Sequence, residues 1–255
     1  MKPSSKAFSL VELLVIIAII AILAGMLLAV LAKVKISAQV NQAKLEMSQL
    51  GQAIMTYDQT YGHFPVSAAA QLAAGTGDFT YGSILPAPTT LTPIGTQVGG
   101  NVVSNAEVIA MLMDFTNFPG NPGLATSNPN HVKNPQQRPF LNAKMVSDPT
   151  MPGVGPDLVY RDPWGTPYFI TMDLNFDGQC NDAFYGQQNM SQQSGGMGYY
   201  GLFNNIDSNG AGNHFQFHGS VMVWSAGPDK KINNGTGTGA PANQGANKDN
   251  VLNWQ

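Results

Sequence analysis

Oxygen-bearing side chains recur at every second position in Asp173-Leu174-Asn175-Phe176-Asp177-Gly178. Three such oxygens ahead of a glycine that permits a sharp turn resemble the opening of a calcium-wrapping loop, and Asp182 is placed to add another ligand. The twelfth position, where an EF-hand loop carries Glu, is Phe184, and no flanking helix pair is suggested. An Asx-rich turn between strands is therefore the competing reading of the same residues. Other chemistry is sparse. Cys180 is the single cysteine, which excludes an intramolecular disulfide and leaves thiolate zinc sites short of ligands. It has no sequence-evident base and reads as a quiet, partly buried thiol. His131 lies among Asn and Pro and reads as exposed or locally hydrogen-bonded. His214, Gln216 and His218 alternate with Phe215 and Phe217 and fall on one strand face, and two histidines do not make a zinc site. There is no Gly-rich phosphate cradle and no HExxH sequence, which leaves open only an active site assembled from distant residues.

The elements that would position these residues begin with an apolar run. From Leu13 to Ala32 the chain reads LLVIIAIIAILAGMLLAVLA, without a charge, and at 1.5 Å per residue it makes about 30 Å of helix, the thickness of a bilayer's hydrocarbon core. Lys2 and Lys6 precede it and favour a cytoplasmic leader, while Lys33 and Lys35 follow it and weaken the asymmetry. The run is longer than a typical signal-peptide core. Glu12 adjoins it; a carboxylate at bilayer depth is expensive without a partner, the alternative being a wetted position among headgroups. Beyond Ala32 the pattern turns amphipathic, with Leu45, Leu50, Ile54 and Tyr57 at mostly helical spacings, and Gly62 and Pro65 mark the end. One helix is thus expected from about Phe8 to Tyr61.

Residues 66–156 read as a long polar insertion, rich in turn formers, with a short helix near Asn105 to Phe115 and an extended stretch punctuated by Pro and Asn after it. The whole chain holds 28 Gly, 17 Pro and only 11% charged residues, which does not describe a coiled coil. Its net charge of -3 is opposite to what phosphate neutralisation demands, so no nucleic-acid partner is expected. From Tyr168 onward a β-prone run follows the Pro163, Gly165 and Pro167 turn residues, with Trp164 read as a packing anchor.

Lys6-Ala7-Phe8-Ser9-Leu10-Val11-Glu12-Leu13-Leu14 resembles the cleavage and methylation signal of type IV pilin-like proteins. The resemblance implies a peptidase that cuts between Ala7 and Phe8 and methylates the new amine. Ala7 departs from the glycine usual before the cut. It also implies that Glu12 pairs with the terminal amine of a neighbouring subunit and sets axial register, since a lost partner leaves a buried carboxylate. Removal of the leader with Lys2 and Lys6 would leave 10 basic against 15 acidic residues. Two further segments resemble the major pseudopilin of bacterial type II secretion: YRDPWGTPY at Tyr160–Tyr168, and the final VMVWSAGPD strand and turn at Val221–Asp229 with Asp249-Asn250-Val251 before Trp254. In that family the closing loop commonly binds calcium, so the resemblance implies a tentative structural calcium held by Asp229 and Asp249, with Asn250 where a second aspartate is often found.

What the resemblance implies is an α+β fold, a long N-terminal transmembrane and amphipathic helix packed on a small antiparallel sheet. Its parts would be a leader (1–7), a membrane half (8–32) and an amphipathic half (33–62) of the helix, the insertion (66–156), and the sheet with its calcium-type loop (157–255). The expected function is a subunit of a periplasmic pseudopilus, and the alternative is a type IV pilus or minor pilin subunit for adhesion or DNA uptake. Expected partners are copies of itself, minor pseudopilins, the prepilin peptidase, and an inner-membrane platform with a cytoplasmic ATPase. The chain would reside in the bacterial inner membrane with one pass and a periplasmic C-terminal domain. A membrane-anchored hydrolase or carbohydrate-binding domain would need a concave site with convergent polar groups, for which the sequence supplies no constellation.

Overall fold

A computed structural model of the chain describes residues 9–82, 95–98, 101–193, 197–206, 213–233 and 241–255. It has two units, residues 1–39 and 40–255. Helix α1 runs Leu10–Tyr61. In the first unit every described side chain from Ser9 to Ala38 is exposed, Leu10, Leu14, Ile17, Leu23 and Leu31 among them. A helix apolar on all sides, with every described side chain of this half exposed, is long and apolar enough to cross a membrane.

The second unit begins where the helix turns amphipathic. Its buried stripe is Ala43, Met47, Leu50, Ile54 and Tyr57, each at 0% exposure, spaced alternately four and three residues apart as one helix face requires. Leu45, expected on that stripe, is 59% exposed. It lies between the face positions Ala43 and Met47, and the smaller Ala43 takes the buried place. The helix ends at Tyr61; Gly62 takes the left-handed conformation (φ 72°) and its N–H reaches Asp58 O at 2.7 Å, a helix stop that glycine adopts without a Cβ penalty.

The main sheet has four antiparallel strands: β1 (Phe79–Tyr81), β2 (Phe169–Met172), β6 (Val221–Ser225) and β7 (Val251–Leu252), in the order β1-β2-β6-β7. A second, three-stranded sheet is formed by β3 (Gln179–Cys180), β4 (Phe203–Ile206) and β5 (Asn213–His218), in the order β4-β5-β3. Strands β2 and β6 are buried throughout, and their alternation divides the interior. Ile170, Met172, Val221 and Val223 join α1 in one core, while Phe169, Met222 and Trp224 join Cys180, Phe184, Tyr185 and Leu252 in another. The Trp224 ring stacks on Phe169 at 4.0 Å and meets Tyr185 edge-on.

The insertion is built into this core. It supplies edge strand β1, a short helix α2 (Ala68–Ala74) and helix α3 (Ala106–Leu112), whose Val108 to Leu112 are fully buried. Asn105 seats α3: its amide donates to Tyr160 O and Tyr168 O, and its oxygen accepts from Tyr160 N. Tyr57 donates to Lys133 O, and Tyr61 donates to Asn134 Oδ1 at 2.7 Å. The Pro- and Asn-rich stretch is thus tied to α1 by the two tyrosines that close the helix. The fold is α+β, a long apolar amino-terminal helix with antiparallel sheets, as the type IV pilin-like resemblance implies.

Candidate functional site

Three places carry the residues singled out by the sequence: the start of α1, the turn that joins the two motif segments near the carboxyl terminus, and the Asp173 loop. At the start of α1, Ala7 and Phe8 lie outside the described residues. Glu12 lies within them and is engaged locally. Its Oε2 accepts from Ser9 N at 2.9 Å, while Ser9 Oγ accepts from Val11 N at 3.3 Å. This is a capping box with the Ser9 hydroxyl on the second helical amide rather than the third, and it satisfies amide groups that the first turn of a helix otherwise leaves open. The signature, Ser9-x-x-Glu12 ahead of an apolar run, was present in the sequence.

The DPWGTPY and SAGPD segments meet at one carboxylate. Asp162 is fully buried. Its Oδ1 accepts from Trp164 N at 2.9 Å and Thr166 N at 2.8 Å, and its Oδ2 accepts from Ser225 Oγ at 2.5 Å. Ser225 Oγ in turn accepts from Gly227 N at 3.0 Å. Burial raises the Asp162 pKa from 3.8 to about 6, against the opposing pull of these hydrogen bonds. Gly227 is left-handed (φ 71°), and a Cβ there would meet Asp249 O at 2.1 Å. The turn therefore rests directly on the backbone of the closing segment, a proximity that only glycine allows.

The same contact brings Asp229 and Asp249 together. Asp249 Oδ2 accepts from Asp229 N at 3.2 Å, and Asp229 Oδ1 accepts from Lys231 N at 2.8 Å. Burial and then the Asp229 charge raise the Asp249 pKa. Asn250 donates from Nδ2 to Tyr185 OH at 2.9 Å. Asp249 Oδ1 and Asn250 Oδ1 are buried and have no hydrogen-bond partner among the described residues. Two neighbouring carboxylates and two unpaired hard-oxygen acceptors are the donor chemistry that calcium takes. Trp254 packs edge-on against Tyr185 at 5.4 Å beside them.

The oxygens of the Asp173 loop accept hydrogen bonds from within the loop. Asp173 accepts from Asp177 N and Gly178 N at 3.2 and 2.8 Å, Asn175 Oδ1 accepts from Asp177 N at 3.2 Å, and Asp177 Oδ1 accepts from Gln179 N at 2.8 Å. The bonds that Asn175 accepts from Asp177 N and Asp177 accepts from Gln179 N are Asx turns. Asp182 is drawn elsewhere: Oδ1 accepts from Phe184 N and Tyr185 N at 2.9 and 2.8 Å, and Oδ2 from Thr171 Oγ1 and Trp224 Nε1 at 2.5 and 3.1 Å. It anchors the tryptophan in the second core. Among the described residues no group of three or more His, Cys, Asp or Glu side chains is placed to hold a metal ion.

The remaining candidates have quieter surroundings. Cys180 is buried, and burial, reinforced by the charges of Asp78, Asp182 and Asp173, pushes its thiol well above the usual range. His131 pairs through Nδ1 with Asp114 Oδ1 at 2.8 Å, a local bond in its loop. His218 stacks on Phe203 at 3.9 Å, whereas His214 lines a polar cleft. That cleft also takes in Asp78, which sequence reasoning passed over because a single carboxylate in a turn-rich stretch carries no periodic or spacing signal.

Comparison with known proteins adds one finding. Residues 2–28 match the model of the prokaryotic N-terminal methylation motif. No curated protein and no solved structure matches the chain. The matched residues include the expected processing point, the Ser9–Glu12 capping box and most of the apolar half of α1, so the chain is type IV prepilin-like at its amino terminus, with a helix fit for membrane anchoring.

Proposed function

We propose that this protein is a structural subunit of the periplasmic pseudopilus of a type II secretion system, cut between Ala7 and Phe8, methylated, and stored in the inner membrane until assembly. The observation that carries the reading is the methylation motif set directly before a helix whose described side chains from Ser9 to Ala38 are all exposed. Such a surface costs about 25 cal/mol per Å² while it faces water, so it calls for lipid before assembly and for the helices of other copies after it. The choice of pseudopilus over pilus is supported by the Asp162–Ser225 joint, through which the two segments that resemble the major pseudopilin form one structure. No step of catalysis is assigned to this chain. Its work is axial packing, with the platform and ATPase supplying the drive.

Calcium belongs to the same proposal. Asp229 and Asp249, with Asn250, would hold it, and it would supply a hard charge that collects their oxygens and fixes a loop too polar to bury a core. Calcium titration of the purified chain should raise its melting temperature, and Asp229→Ala and Asp249→Ala should abolish the rise; no shift in the parent removes the metal from the reading.

Mass spectrometry of the native amino terminus tests processing: an N-methylated Phe8 is expected, and retention of Met1 or cleavage near Ala32 overturns the proposal. Deletion then separates the machines. Loss of secretion of folded substrates with normal twitching and DNA uptake is the expected result, and the reverse pattern assigns the chain to a pilus.

A further inference from the structure

A cleft of about 760 Å³ opens in the second unit between the turn before β1 and the exposed face of β4 and β5. Its volume lies within the range of small-molecule sites, about 300–1,000 Å³. Its lining is unlike theirs. Thr76, Asp78, Asn175, Asn181, Asn205, His214 and Gln216 face it, with only Gly77 and Ala183 among Thr residues to complete the wall. Among the described residues, no Lys or Arg and no Phe, Tyr, Trp or Leu lines it. Its apolar surface comes from short side chains and backbone, without the broad aromatic or aliphatic wall that an apolar ligand favours. An anionic ligand would find no Lys or Arg among the described lining residues and would lie beside the neighbouring carboxyls of Asp78, Asp173 and Asp177.

What the cleft does offer is paired donors and acceptors. Asn205 Nδ2 donates to Gln216 Oε1 at 2.8 Å and to Gln179 Oε1 at 3.5 Å, so Asn205 Oδ1 is left to accept from a ligand and Gln216 Nε2 to donate to it. Flipping both amides would set Asn205 Oδ1 against Gln179 Oε1, so the Gln179 contact favours the orientation given. The His214 ring, exposed on the same strand face as Gln216, adds one donor and one acceptor when neutral. Asp78 Oδ2 is fixed by Asn181 N at 2.5 Å. A group that donates and accepts at adjacent atoms, without charge, matches this wall; a vicinal diol is that group.

We propose that this cleft binds a neutral saccharide unit, with adjacent hydroxyls held by the Asn205–Gln216 amide pair and by His214. The proposal stands apart from the filament reading, since it uses none of the amino-terminal residues. The ligand is a free sugar or a unit of a polymeric glycan, and both present the same diol.

The test uses the full chain in a detergent without a sugar headgroup. Maltose, cellobiose and diacetylchitobiose are titrated at millimolar concentration and followed by saturation-transfer NMR and calorimetry. Saturable binding of at least one is expected, weakened about tenfold by Gln216→Ala or Asn205→Ala, the scale of one lost hydrogen bond. His214→Ala, at an exposed side chain, keeps the test open if the amide variants fold poorly, and Gln59→Ala outside the cleft should leave binding unchanged. Retention on amylose, cellulose or chitin beads, released by the matching disaccharide, assigns a polymeric source; binding of the free disaccharide alone assigns a soluble one, and either supports the proposal. No binding of any of the three, binding that His214→Ala and the amide variants leave intact, or binding of putrescine in their place overturns it.

Discussion

Replacing the buried Asp162 by Asn should stabilise the protein at neutral pH, and the reason is in the pH dependence of the parent. The carboxyl titrates at about 6 in the fold against 3.8 unperturbed. A raised pKa means the folded state holds the proton more tightly, so the associated stability is fully present below about pH 4 and is lost as pH rises through about 6. At about 1.4 kcal/mol per pH unit the loss amounts to up to ~3 kcal/mol. Asn approximates the protonated group: its oxygen can keep the Trp164 and Thr166 N–H bonds, and its NH₂ can donate to Ser225 Oγ, which also accepts from Gly227 N, although the Ser225 hydroxyl loses Oδ2 as its acceptor. Urea unfolding of the full chain in detergent, followed by tryptophan fluorescence from pH 4 to 8, should show Asp162→Asn within about 1 kcal/mol of the parent at pH 4 and up to ~3 kcal/mol more stable at pH 8. Asp78, raised to about 7, titrates with the same sign in both proteins and cancels in the difference. Asp162→Ala serves as the contrast. It strands two backbone N–H groups and a hydroxyl, at about 1–3 kcal/mol each, and should be destabilising at every pH. A difference between Asn and parent that stays flat from pH 4 to 8 would refute the reasoning.

Three other perturbations have definite expectations. Trp224→Phe keeps the stack on Phe169 but removes the N–H that Asp182 accepts at 3.1 Å, leaving Oδ2 with Thr171 Oγ1 alone, so it should cost about 2–4 kcal/mol by thermal unfolding, part of it lost ring volume and part the lost hydrogen bond. Gly227→Ala places a Cβ 2.1 Å from Asp249 O at a positive φ; the closing segment should be cut by protease near Asp249 at concentrations the parent withstands. Cys180, buried and held protonated, should react with a thiol reagent at pH 8 only at the rate of unfolding.

The parts of the fold that were legible are those where one physical rule dominates a continuous stretch. The uncharged run from Leu13 to Ala32 needed only length and composition, and the stop at Tyr61 needed only Gly62 and Pro65. The amphipathic half of α1 was legible as a helix, but its face was not fully so: a large Leu at position 45 outweighed the small Ala43 in a count of apolar residues, whereas packing selects by geometry. The insertion was hidden for a related reason. Strand β1 is only Phe79–Tyr81, too short for a period, and it earns its place through pairing with Thr171 and Ile170 some ninety residues on. The Asp173 loop showed its oxygens in the sequence, but whether they turn outward to a cation or inward to Gly178 and Gln179 N–H groups is decided by backbone conformation. Asp162 stood within a quoted motif without a role, because its partner Ser225 is distant in the chain.

Glu12 shows how one carboxylate can serve two purposes, and the two can be separated. Within its own chain Oε2 closes the capping box on Ser9 N; cleavage before Phe8 leaves that amide in place, so the box survives processing. In the proposed filament the negative charge would meet the methylated amine of a neighbour. Glu12→Gln keeps an acceptor for Ser9 N and removes the charge, whereas Glu12→Ala removes both. A capping contribution is of order 0.5–2 kcal/mol, while an amine buried without its counterion loses about 3–5 kcal/mol. If the charge acts between subunits, both variants should be processed and anchored normally by mass spectrometry and membrane fractionation, and both should fail to form filaments when sheared material is examined. If the carboxylate acts only as a cap, Gln should assemble as the parent does and Ala alone should falter. Assembly by the Gln variant at parental level would therefore remove Glu12 from subunit register and leave it as the residue that starts the helix.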